Sequence, residues 1–199
     1  GIFVDLFKQL EQVTEHKFIF VNLPVARAIR KFDTGEIDIE PGINEAWRQH
    51  TEVIGNYSIA YAQSLDVIVF NKKQPFPVTS PKDLYGKKVG IVRGFSYPEF
   101  DQAFKEEKIS KVDNVSEKYL LKQLLVGRLD QIFIGYRTIL YYMQRYPEYR
   151  ALKIGDFISK VDVKIRVHPN KSHLLPDINL GLRKMIENGD IEAIYNKYK

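Results

Sequence analysis

Apolar positions along the chain repeat first with a helical period and then with an extended one. Ile2, Phe3, Leu6, Phe7, Leu10 and Val13 fall on one face, with Asp5, Lys8, Glu11 and Glu15 between them, which predicts an amphipathic opening helix. Residues 18–21 are short, apolar and β-favouring, and predict a buried strand. A second helix is predicted from Pro24, a favoured first-turn residue, with Val25, Ala28, Ile29 and Phe32 inward and a stop at Gly35. Residues 37–39 predict the next strand. After Pro41-Gly42, residues 59–70 are rich in β-branched and aromatic side chains and predict extended chain.

The pattern continues through the second half. Residues 71–80 read as a polar, proline-bearing connection, and Ser80-Pro81-Lys82-Asp83 as a helix start. Residues 88–92 predict a strand, 93–96 a tight turn and 97–105 a helix. Ser116 is placed to cap a further helix, with Tyr119, Leu120, Leu124 and Leu125 inward and a stop at Gly127. Residues 131–134 predict a strand, 136–145 a helix rich in aromatics, and 163–167 a strand. Two closing helices meet at Asn188-Gly189, with Asp190 capping the second. Strands and helices alternate throughout, which argues for an α/β fold with mainly parallel sheets. One motif recurs: a helix, a glycine stop and an acid before a strand, as Gly35-Glu36-Ile37-Asp38-Ile39 and again as Gly127-Arg128-Leu129-Asp130-Gln131-Ile132. The echo points to two lobes of related build.

Composition narrows the function. The 199 residues are enough for two lobes of about 100 residues each. A hydrophobic share of 44% and a charged share of 28% describe a folded globular chain. The net charge of +5 is spread over 30 basic and 25 acidic residues, and the basic clusters are only pairs, such as Lys72-Lys73 and Lys87-Lys88. These are solvated faces rather than a track for phosphates, so no nucleic-acid partner is expected. With no cysteine, disulfides, thiolate metal sites and thiol nucleophiles are excluded. No apolar run approaches the ~18 residues of a membrane span, so neither a spanning helix nor a signal peptide is expected within these residues. His16, His50, His168 and His173 lack metal-ligand spacing, no serine elbow is present, and the Gly90–Gly94 spacing is wrong for a phosphate loop. Neither enzyme activity, metal nor cofactor is expected.

In open α/β sheets ligands sit beyond the carboxyl ends of strands. That rule selects residues 41–48, 93–97 and 135–136. The first segment holds Gly42, Asn44, Trp47 and Arg48. The Arg48 guanidinium can grip a carboxylate through two parallel hydrogen bonds; pairing with Glu45 or Glu52 is the competing reading. Trp47, the sole tryptophan, is expected to pack in a core rather than stack on a ligand. In the second segment, Ser96 and the free N–H groups of the following helix can hold an anion, or Ser96 can be a simple cap. Phe95 and Tyr97 line a cleft or pack.

Taken in order, these stretches resemble the type 2 periplasmic binding proteins, specifically solute-binding family 3, the polar amino-acid-binding group. The resemblance lies in Gly1-Ile2-Phe3-Val4-Asp5-Leu6, in residues 28–38, and in Gly42 to Arg48 followed by Tyr57-Ser58-Ile59-Ala60-Tyr61. It continues in Asp83-Leu84-Tyr85-Gly86-Lys87-Lys88-Val89-Gly90, in Gly94-Phe95-Ser96-Tyr97, and in the tail from Leu175 through Gly189 to Tyr198. It implies a two-lobed venus-flytrap fold with two mainly parallel sheets and a hinge of two crossing strands. Lobe 1 would comprise residues 1–70 and 166–199, and lobe 2 residues 71–165. It also implies a non-enzymatic periplasmic or extracytoplasmic receptor that closes over a small carboxylate-bearing ligand and serves a membrane permease of ABC type or a receptor module. An enzyme on the same fold, a dehydratase or a lyase-associated domain, is the alternative, as is the ligand-sensing domain of a membrane receptor.

By the same resemblance, Arg48 and Ser96 hold the ligand carboxylate, with Gly42, Asn44, Trp47, Phe95 and Tyr136 around the ligand. Three departures stand out. Asn44-Glu45-Ala46 replaces the family's threonine before the arginine. Gly135 stands where the family carries the acid that grips the ligand's amino group, so no counter-ion for an ammonium is expected in lobe 2. The family's first strand and its aromatic ligand loop would lie before Gly1.

Overall fold

The computed structural model describes residues 1–71 and 75–198. The Lys72-Lys73 pair, and with it part of the expected 71–80 connection, lies outside the described residues. The chain divides into two compact units, one of residues 1–23, 27–63 and 161–199, the other of residues 24–26 and 64–160.

The first unit is built around helix α1 (Ile2–Thr14), whose Leu6, Phe7 and Leu10 are buried as their spacing predicts. They meet Ile178, Leu182 and Met185 of helix α6 (Leu175–Glu187), Ile191 of helix α7 (Asp190–Asn196) and Val163, Ile165 and Val167 of strand β7 (Lys153–Val167). Gly181 permits the close approach of α1 and α6, because a Cβ there would lie 2.5 Å from Leu10. Helix α2 (Val25–Asp33) buries Phe32. Strand β1 (Ile39–Ile43) and the two-residue β2 (Asn56–Tyr57) both pair antiparallel with β7.

The strand expected at 18–21 does not form. Ile19 is 91% exposed, and the Phe18 N–H donates to Glu11 Oε1 at 2.8 Å rather than to a neighbouring strand. Apolar, β-favouring residues become a strand only where another backbone supplies the ladder, and no described strand lies against this segment.

In the second unit, strand β4 (Lys88–Val92) lies parallel to both β5 (Ser110–Asn114) and β6 (Gln131–Gly135), while β3 (Ala62–Phe70) runs antiparallel to β6. Helices α3 (Pro98–Lys105), α4 (Glu117–Leu125) and α5 (Tyr136–Arg145) complete it. The inward face of α4 is Leu120, Leu121 and Leu124; Tyr119, expected inward, is exposed. Strand β5 was not anticipated because Ser110-Lys111-Val112-Asp113-Asn114 is a polar edge strand with no buried residue to give it a pattern.

The expectation of two mainly parallel sheets needs correction. In the first unit β1 and β2 both lie antiparallel to β7, in the second unit β6 pairs antiparallel with β3 and parallel with β4, and only the pairs of β4 are parallel among those whose register is described. The reason is the length of β3 and β7. Strand β7 extends over fifteen residues where five were expected, and Gly155 lets it lie against Ile68 and Phe70 of β3, since a Cβ there would come within 2.6 Å of the Phe70 ring.

Candidate ligand-binding site

In the first unit, Asn44, Trp47 and Arg48 share one short 3₁₀ turn, Glu45–Arg48. Asn44 caps it by accepting from the Ala46 N–H at 2.9 Å, and its amide donates to the Asp162 carbonyl at 2.8 Å. Trp47 packs against the unit's apolar core. Gly42 has φ +70°, and a Cβ there would meet the Phe3 ring at 2.5 Å, so this glycine serves a turn packed on α1.

Arg48 is 3% exposed and its partner is Glu40, not Glu45 or Glu52. Nε and Nη2 donate to the two Glu40 oxygens at 3.3 and 3.4 Å, and Nη1 donates to the Trp47 carbonyl at 3.3 Å. Glu40 also accepts from Arg166 Nη1. Arg166, fully buried, stacks 3.8 Å above the Phe32 ring and donates further to the Ile54 and Val53 carbonyls and the Thr51 hydroxyl, with Asp33 at 4.0 Å. Two guanidiniums and two carboxylates thus balance inside this unit, and the Arg48 donors already have acceptors.

In the second unit, Gly94 opens the turn after β4 at φ +93°, and a Cβ there would press on the Ala26 backbone at 3.0 Å. The Ser96 hydroxyl donates to Asp101 Oδ2 at 2.6 Å, and the Tyr97 N–H donates to Asp101 Oδ1 at 3.1 Å. The start of α3 therefore already faces a carboxylate of its own, and Tyr97 rather than Ser96 is the cap residue. Phe95 and Tyr136 pack against the core between β6 and α4, and Tyr136 meets Phe157 edge to face at 5.2 Å.

The carboxyl ends of β4, β5 and β6 gather a feature that the sequence reading did not select. Ser116 caps α4 as expected, and the next residue, Glu117, turns inward: its Oε1 accepts from the Gly135 N–H at 2.8 Å and its Oε2 from the Thr138 hydroxyl at 2.9 Å. Asp66 is the β3 partner of Gly135 in the antiparallel register. A Cβ on Gly135 would sit 3.3 Å from Glu117 Oε1 and 3.9 Å from Asp66 Oδ1. Burial, with the charge of Glu117, pushes the Asp66 carboxyl up to about 7. Burial raises Glu117 too, against the two hydrogen bonds that favour its charged form.

Gly135 itself carries no acid, but the carboxyl groups of Asp66 on β3 and Glu117 on α4 lie in its surroundings. A signal was present for each. Asp66 is the one charge in the apolar run Leu65-Asp66-Val67-Ile68-Val69-Phe70, and Glu117 directly follows the recognised cap.

The architecture is that of the α/β periplasmic-binding-protein fold. Over its whole length the chain superposes on an ancestral arginine-binding protein bound to arginine, with a TM-score of 0.83, 24% identity and 87% of that chain covered. It also superposes on an ancestral arginine-binding protein bound to glutamine, with a TM-score of 0.79, 28% identity, all of this chain and 87% of that one. The chain belongs to the bacterial extracellular solute-binding proteins, family 3, whose pattern matches residues 1–199. Among curated relatives, the putative ABC transporter arginine-binding protein 2 of Escherichia coli (strain K12) is 29% identical over 125 residues, which span 60% of this chain and 50% of that protein. The match thus covers half of that relative's length. Among the described residues, no helix is long and apolar enough to cross a membrane.

Proposed function

We propose that this chain is an extracytoplasmic, non-enzymatic receptor that closes over a small amino-acid-class solute bearing a carboxylate and delivers it to an ABC-type permease. The family match over residues 1–199 carries the reading. The arginine-binding names of its relatives, and the arginine and glutamine in two structures of the same fold, support the solute class. The 42–48 and 93–97 segments are the proposed contacts of the ligand carboxylate, through Arg48 and Ser96, with Gly42, Asn44, Trp47, Phe95 and Tyr136 beside them. To act in this way Arg48 and Ser96 must share or release their partners Glu40 and Asp101. Charge-assisted bonds to a carboxylate are strong enough to compete for such donors.

Native mass spectrometry of the protein as purified, with release and identification of any bound small molecule, tests the reading. A retained amino acid or close relative is expected. No retained ligand, together with no thermal stabilisation by a panel of amino acids and small carboxylates, would overturn it.

A further inference from the structure

We propose that the outer surface of the α4–α5 layer in the second unit docks on an anionic phospholipid surface. This goes beyond the solute-receptor reading and uses no residue of the proposed ligand site.

The surface originates in the packing beneath it. Leu120 and Leu124 of α4, Ile139 of α5 and Tyr149 of the 3₁₀ turn Pro147–Ala151 share one apolar cluster with Val69 of β3 and Ile134 of β6. Phe100 and Ala103 of α3 belong to a separate cluster. The two helices and the turn therefore form one layer, and the side chains they leave unburied share its outer surface. On α4, Lys118, Lys122 and Val126 are exposed at helical spacing, as are Tyr141 and Arg145 on α5.

Charge singles this layer out. Residues 118–153 hold seven basic residues against only Asp130 and Glu148, and the rest of the chain holds 23 of each sign. The whole net charge of +5 thus resides in this stretch. No two of the seven are adjacent in sequence, so the basic pairs of the chain do not mark them; the fold gathers them. Lys118, Lys122, Arg145 and Arg150 are exposed and form no ion pair among the described residues.

The aromatic residues of the same layer are rigidly held. Tyr142 stacks on Tyr146 at 5.7 Å and meets Tyr141 and Tyr149 edge to face at 5.5 and 5.4 Å. Tyr149 is buried, which anchors the group in the core and fixes the exposed Tyr141 and Tyr146. A tyrosine with its ring on an apolar bed and its hydroxyl in water suits the headgroup region of a bilayer. Cations set among such rings suit the phosphates found there. A protein partner fits the composition less well, because lysine is depleted in protein interfaces and Lys118 and Lys122 belong to the patch.

Cosedimentation with vesicles tests the proposal, one set of equal parts phosphatidylglycerol and phosphatidylcholine, the other of phosphatidylcholine alone. The unaltered protein should bind the first and not the second, and high salt should release it. Each cation near an anionic bilayer strengthens binding about fivefold, so Lys118→Gln/Lys122→Gln/Arg145→Gln should bind on the order of 100-fold more weakly. The control Lys8→Gln/Lys105→Gln/Lys184→Gln has the same net charge and alters exposed positions elsewhere, so it should bind as the unaltered protein does. Equal losses in the two triple variants would overturn the proposal, as would binding that ignores salt or lipid charge. Poly-L-glutamate is the counter-probe: if it binds and the anionic vesicles do not, the face belongs to an acidic protein instead. Binding of neither probe also overturns the proposal. The vesicle and salt comparisons use the unaltered protein alone, so they decide the matter if a triple variant fails to fold.

Discussion

Glu40 and Arg166 are register partners across the β1–β7 pair and also a buried ion pair, so one backbone pairing fixes one charge pairing. Glu40 serves Arg48 as well, which makes it the shared anion of two buried guanidiniums. Glu40→Gln should therefore cost about 3–5 kcal/mol, the usual penalty for stripping a buried cation of its partner. Urea unfolding would show it, and a loss below about 1 kcal/mol would mean that water already reaches this network.

Arg48→Ala separates a supporting role from a ligand-binding one. If Arg48 remains on Glu40, removing it leaves Glu40 paired to Arg166, so stability should fall by roughly 1–3 kcal/mol. Solute affinity should then change less than about threefold. A drop of roughly 30-fold in affinity, alongside the same loss of stability, would instead show the guanidinium passing from Glu40 to a ligand carboxylate on binding, as proposed.

Asp66 gives the fold a defined pH dependence. Its carboxyl titrates at about 7 when folded, against 3.8 ordinarily. Between those values the folded state holds more protons than the unfolded one, so stability falls as pH rises through the window. Glu117, also raised by burial, contributes in the same direction. Asp66→Asn should consequently be more stable than the unaltered protein above pH 7, by at most about 4 kcal/mol, with the gain gone below about pH 4. Paired urea titrations at pH 4, 6 and 8 would check it; an equal difference at all three would remove the buried charge as the cause.

Much of the fold was legible because burial and periodicity coincide. Leu6, Phe7 and Leu10 on α1, the 88–92 strand and the 136–145 helix are read directly from spacing, and each is found. What was misread depended on a neighbour rather than on local pattern. Residues 18–21 are β-favouring but meet no strand, and 110–114 form a polar strand only because β4 lies beside them. The first half of β7 was missed since Gly155 and its polar neighbours lack an apolar run, while β3 supplies the packing surface. Ionisable groups follow the same rule. Loop position singled out Arg48 and Ser96, but it could not reveal that Glu40 and Asp101 would fold back onto them. The acids at Gly135 come from strands and helices 69 and 18 positions earlier in the chain, a convergence set by the β3–β6 register.

Gly135→Asp restores the acid that resembling proteins carry and should harm this protein. The backbone imposes no barrier, because φ −57° and ψ 130° are open to any residue. The side chain meets the difficulty: its Cβ would lie 3.2 Å from Thr138 Oγ1 and 3.3 Å from Glu117 Oε1, a tight contact, and its carboxylate would join two others in a buried space. Like charges at such range raise one another's pKa and disfavour the ionised, folded form. Gly135→Ala isolates the crowding, and the difference between the two variants isolates the charge. The aspartate should cost about 1–3 kcal/mol more than the alanine at pH 8. That excess should shrink by pH 5, where protonation of the cluster removes the repulsion. Urea unfolding of both variants at the two pH values measures it. An aspartate variant as stable as the alanine at pH 8 would show that Asp66 and Glu117 are not charged together in the folded protein.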